Sequence, residues 1–316
     1  MNDTGNPVEQ FPPVDTAGVS PGETSFIERH GIPPILFGFL SLGLIFFLYQ
    51  AVGGVVTFLL FGVTPEAGHT AGFRIATALG QIILILGPTL LLARLATSRP
   101  AQYLRLRFPQ PRVLLFPVIG IFSLQQMLQI YLVFQEKIPL PQRLVPIMKE
   151  FKELIEEAYR VLVSSNSIPE LLVVIVVVAL IPAIVEEIMF RGLVQRSFEN
   201  GLTPMKSVVL SGIIFGAYHL NPFGFIPLAA LGIYLGFLAM RANSIWVSAV
   251  AHFFNNASAS LALYFHNDDD AIITGNPDTM SAGVLVLTFL VFSIIFLGST
   301  YYFIRMTESR PEPAIL

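Results

Sequence analysis

The chain contains no cysteine, which excludes disulfides, thiolate metal sites and a thiol nucleophile, and leaves the redox compartment unreadable. Charge is nearly as scarce. Only 12% of the 316 residues are charged, about half of the roughly 25% found in soluble globular domains. The net charge of −3 gives no basic surface for nucleic acid, so none is expected as a partner. Residues 1–31 lack the basic start and apolar stretch of a signal peptide. They hold four prolines, five acidic residues and one Arg, a composition that predicts a disordered N-terminal tail. The first spanning helix is then the expected insertion signal.

What the chain has in abundance is apolar sequence. Hydrophobic residues make up 54% and the mean hydropathy is +0.70. They cluster into runs that reach the about 20 residues a spanning helix needs. The predicted fold is all-α, a polytopic membrane helical bundle of about eight transmembrane helices, at 35–61, 75–96, 113–134, 169–198, 205–220, 224–240, 244–265 and 281–304. Arg94, Arg99, Arg105, Arg107 and Arg112 crowd one connection, which is therefore expected on the cytoplasmic side. Both termini then fall inside, with 12 of the 18 basic residues. The expected location is an integral, multi-pass position in a bacterial plasma membrane, with the lipid bilayer as the constant partner.

One connection has its own pattern. "LVPIMKEFKELIEEAYRVLV" puts Leu144, Met148, Phe151, Leu154, Ile155, Tyr159 and Leu162 on one helical face and charges on the other. This predicts an amphipathic surface helix over 144–164. The resulting layout is a tail at 1–31, three spans in 32–143, that surface helix, a core at 168–265, an acidic loop at 266–280 and a last span with a short tail at 281–316. "HNDDD" in the acidic loop lacks the Gly and terminal Glu of an EF-hand, so a solvated loop is expected there.

Polar residues inside apolar spans mark function by default, because a central charge costs at least about 2.5–3.5 kcal/mol. Here they concentrate in one third of the chain: Glu186, Glu187, Arg191, His219, His252, Asn255 and Asn256. "GLTP" at 201–204 is a turn with Pro placed to start a helix. Glu186 lies 16.5 residues before the middle of that turn and His219 16.5 after it. In a helical hairpin both then sit about 25 Å from the turn and face one another. His252 and Asn256 are i,i+4 and share a helix face. Glu187 and Arg191 are also i,i+4, the orientation that favours an ion pair, which leaves Glu186 for chemistry. Pro182 cannot donate to the carbonyl of Val178, so a kink is expected one turn before the acidic pair. Gly232 and Gly236 form a small-xxx-small pair that allows close helix approach.

Glu186-Glu187-x-x-x-Arg191, Phe215-x-x-x-His219 and His252-x-x-x-Asn256 resemble, in order, the three motifs of the CPBP intramembrane proteases. That family includes the CAAX prenyl endopeptidases and the bacteriocin-processing or immunity-type members, and the resemblance covers about residues 168–265. It implies an intramembrane endopeptidase acting on a membrane-embedded peptide or protein, prenylated or otherwise lipophilic. In that resemblance Glu186 activates water and Glu187 and Arg191 order the site. His219 holds the water, and His252 and Asn256 stabilise the oxyanion. Metal participation stays open. His219 and His252 with a carboxylate are a credible zinc set, yet a glutamate-activated water accounts for the same residues. Two other functions are consistent with the sequence: a non-catalytic scaffold or immunity factor of the same family, and a transporter with Glu186 and His219 as a proton relay.

Overall fold

A computed structural model of the chain describes residues 25–62, 67–139, 141–265 and 281–308. Residues 1–24 of the expected tail and the acidic loop lie outside the described residues. At 25–31 the chain is ordered, contrary to the expected extent of the tail. Ser25 and Glu28 form a reciprocal capping box on the short helix α1 (Phe26–Arg29), and Ile27 is buried.

The described residues are all-helical, without strands. In chain order they form α2 (Pro34–Phe61), α3 (Thr70–Ala96), the short α4 (Pro100–Tyr103), α5 (Pro111–Gln135) and α6 (Val145–Val163). Then follow α7 (Ile168–Glu199), α8 (Pro204–Tyr218), α9 (Phe225–Ala242), α10 (Ile245–Phe265) and α11 (Ala282–Thr307). Six of these are long and apolar enough to cross a membrane: α2, α3, α5, α7, α9 and α11. The expected count of about eight is not reached, for two different reasons. α8 has 15 residues, bounded by Pro204 and by Leu220 at φ 53°. At 1.5 Å per residue it falls short of a hydrocarbon core of about 30 Å. α10 has 21 residues, but His252, Asn255, Asn256 and its serines dilute its hydropathy.

Polar contacts dock the N-terminal part of the chain on the later helices, and two of them are made by buried arginines. Arg105, with φ 56° and buried, forms an ion pair with Glu199 at the end of α7 and donates to Asn243. Burial holds its guanidinium below its usual range, against the pull of Glu199. The same segment receives Ile245 N, Ser244 Oγ and Trp246 Nε1 on the carbonyls of Arg105, Arg107 and Leu106. Arg105 therefore works as a structural contact, beyond the topological charge it was expected to be. The second arginine, Arg74 of α3, donates to the carbonyls of Leu162, Val161 and Ser164. These are acceptors left open at a helix C-terminus, so Arg74 fastens the end of the amphipathic α6. Lys152 of α6 pairs with Glu136 at 2.6 Å, just beyond α5.

α8 and α9 pack backbone to backbone. A Cβ on Gly212 would stand 2.5 Å from the backbone nitrogen of Ile233, and one on Gly232 would stand 2.8 Å from the carbonyl oxygen of Gly212. Gly212→Ala therefore has no room. It should lower the unfolding midpoint in detergent, at a cost of about 1–3 kcal/mol. Gly43→Ala, with nothing near its Cβ position, should leave the midpoint unchanged or raise it.

Candidate active site

α7 is locally irregular where the polar residues sit. Its helix widens into π-type turns at Ile175–Leu180 and Ile188–Val194, on either side of Glu186 and Glu187. Such widenings are frequent at functional positions. Pro182 has no N–H for the carbonyl of Val178. That orphan acceptor is taken by Asn256 Nδ2 from α10, at 3.0 Å. The missing backbone bond on one helix thus fixes a site side chain on another.

Glu187 and Arg191 are completely buried. Arg191 Nε stands 3.2 Å from Glu187 Oε2, an ion-pair contact without hydrogen-bond alignment. Arg191 Nη2 donates to the Gly232 carbonyl of α9 at 3.2 Å. Its guanidinium carbon lies 4.8 Å from the Phe215 ring centre and 5.6 Å from that of Phe190, in range for cation–π attraction. The other oxygen of Glu187 meets His252 Nδ1 at 3.2 Å. Glu187 therefore answers two partners on two helices, α7 and α10.

Two histidine tautomers follow from chemistry. A carbonyl only accepts, so His219, with Nδ1 2.8 Å from the Phe215 carbonyl, carries its proton on Nδ1 and turns a lone pair outward on Nε2. A carboxylate paired with Arg also only accepts, so His252 donates its Nδ1–H to Glu187. Its Nε2 is then likewise an acceptor until a second proton arrives. Phe215 touches both rings edge-on, with centroids 4.7 Å from His219 and 5.9 Å from His252.

Glu186, His219, His252 and Asn256 line one cavity of about 220 Å³, room for several waters at about 30 Å³ each. Glu187 and Arg191 lie behind it, reaching it through His252. The structure thus brings together all six residues singled out by spacing. His219 is the exposed member, so the cavity opens on its side. Glu186 Oε2 is buried and has no partner. Two further wall residues come from spans that carry no motif, Gln81 of α3 and Ile121 of α5, and one from α6, Leu162. Gln81 was legible only as an isolated polar residue in an apolar run. Asn255, also on the wall, was visible beside the motif but had no assigned task.

The zinc set considered from the sequence is His219 and His252 with a carboxylate. Among the described residues no group of three or more His, Cys, Asp or Glu side chains stands in a position to hold a metal ion. Glu187, the carboxylate nearest His252, is already committed to Arg191.

These features define a multi-pass helical membrane protein with a carboxylate–histidine cavity among its spans. Residues 168–258, the segment that carries the three motifs, match the type II CAAX prenyl endopeptidase Rce1-like family. No curated protein and no solved structure matches it.

Arg191→Met should be strongly destabilising, by about 3–5 kcal/mol, because it leaves the charge of Glu187 without its arginine in an apolar interior. Unfolding midpoints in detergent measure this. The double variant Glu187→Leu/Arg191→Met should recover most of the loss.

Proposed function

We propose that the chain is an intramembrane endopeptidase that hydrolyses a peptide bond in a membrane-associated, prenylated or otherwise lipophilic peptide or protein. The observation that carries this reading is the free, buried Oε2 of Glu186 in a cavity shared with His219, His252 and Asn256. A carboxylate oxygen without a partner is an acceptor waiting for a donor, and water is the simplest one.

Each residue then has a task. Glu186 takes a proton from the attacking water and later delivers it to the leaving amine, as a general base and acid. His219 Nε2, held as an acceptor by the Phe215 carbonyl, receives the second O–H of that water and orients it. Asn256 spends one N–H on Val178 and retains another for the developing oxyanion. His252 joins it when doubly protonated, a state in which Glu187 lies opposite its charge. Donors preset in a low-dielectric cavity contribute a few kcal/mol each to the transition state. Glu187 and Arg191 touch no reacting atom. They position His252 and hold α7 against α9.

The test is turnover of a prenylated peptide and of a membrane-anchored peptide by the purified chain in lipid nanodiscs. Glu186→Gln should reduce it by at least about 10²-fold, with an unchanged unfolding midpoint. Full activity in that variant would overturn the mechanism, and no cleavage by the parent chain would favour the non-catalytic reading. Proton-driven flux in proteoliposomes, lost in Glu186→Gln, would instead favour a transporter.

Pro182→Ala supplies the missing helix bond to Val178 and releases Asn256 Nδ2. Turnover should fall between about ten- and a hundredfold from misplacement alone, while thermal stability stays level or rises.

A further inference from the structure

The cavity wall has an unusual polarity. Among the described residues, three wall side chains carry a buried polar atom with no partner, and all three atoms are oxygens: Glu186 Oε2, Gln81 Oε1 and Asn255 Oδ1. The Asn255 orientation is dictated by chemistry. The Val178 carbonyl accepts only, so Asn256 must present Nδ2 to it and turn Oδ1 away. Asn255 Nδ2 donates to that Oδ1 at 3.0 Å. Asn255 Oδ1 is thereby left without a donor. Gln81 is 7% exposed, sits in the π-type turn Gln81–Leu86 of α3, and shares a hydrogen bond with Tyr49 of α2, while its carbonyl oxygen stays unpaired.

Unpaired buried acceptors of this kind cost roughly 1–3 kcal/mol each, and they ask for an occupant that brings donors. One acceptor, on Glu186, is used by water in the mechanism above. The other two stand on helices other than α7. An extended peptide inside a bilayer has the complementary problem, since each unsatisfied backbone N–H there costs several kcal/mol.

We propose that Gln81 and Asn255 are the cavity's peptide-backbone acceptors, each receiving one N–H of an extended substrate segment beside the scissile bond. This rests on reading the cavity as a peptide-cleaving site. It assigns substrate binding to a residue of α3, outside the segment that carries the family match. It also predicts selection for main-chain N–H groups, largely independent of side-chain identity.

The experiment uses Glu186→Gln as a binding-competent, non-cleaving background and a prenylated peptide with single amide-to-ester replacements near the scissile bond. Affinity is measured in nanodiscs for this background alone and with Gln81→Met or Asn255→Leu added. One ester position should weaken binding by about three- to tenfold and have no further effect in Gln81→Met. A different position should behave the same way with Asn255→Leu. A merely structural role would lower affinity equally for every peptide. Ester and side-chain effects that multiply at all positions would therefore overturn the proposal, as would unchanged affinity in Gln81→Met. Coupled binding in a parent chain that never cleaves would uphold this inference and overturn the proteolytic reading. A chain that binds no peptide overturns both.

Discussion

The buried pair of Glu187 and Arg191 is the interaction on which the rest of the core depends. Two charges without solvent are tolerable only where they are paired and further polar contacts support them. Glu187 is answered by His252, and Arg191 by the Gly232 carbonyl and the faces of Phe215 and Phe190. Those answers place α9 and α10 against α7. Gly232 is needed because a side chain there would meet the Gly212 carbonyl. One turn on, the pattern repeats: Gln195 Nε2 donates to the Gly236 carbonyl at 3.1 Å and to Glu199 at 3.0 Å. Glu199 in turn pairs with Arg105. A polar ladder at i,i+4 steps thus runs from the cavity along α7 to the connection after α4.

The same rule, that buried polar groups be satisfied, explains the exceptions. Pro182 creates an acceptor on α7, and Asn256 satisfies it. Three of the oxygens that stay unsatisfied, on Glu186, Gln81 and Asn255, stand on the wall of one cavity.

The N-terminal spans contribute more than an apolar shell. They supply Gln81 to the cavity wall, Arg74 to the end of α6 and Arg105 to the end of α7. Through Arg105 and Glu199 the segment that carries the motifs is braced from outside it.

Much of this was legible in the sequence because helical spacing is local geometry. The i,i+4 relation fixed Glu187 against Arg191 and His252 with Asn256, and equal distance from "GLTP" matched Glu186 to His219. Hydropathy located the rods. It could not weigh α8's early stop or the polar content of α10, so six of the about eight expected spans are long and apolar enough among the described residues. The tertiary structure alone decided which acceptors would meet which donors. That Asn256 takes the Val178 carbonyl, that Arg105 is buried on Glu199, and that Gln81 joins the cavity are contacts between residues far apart in the chain. No periodicity records such contacts, since they depend on how closely glycine-faced helices approach and on which polar groups are left over when they do.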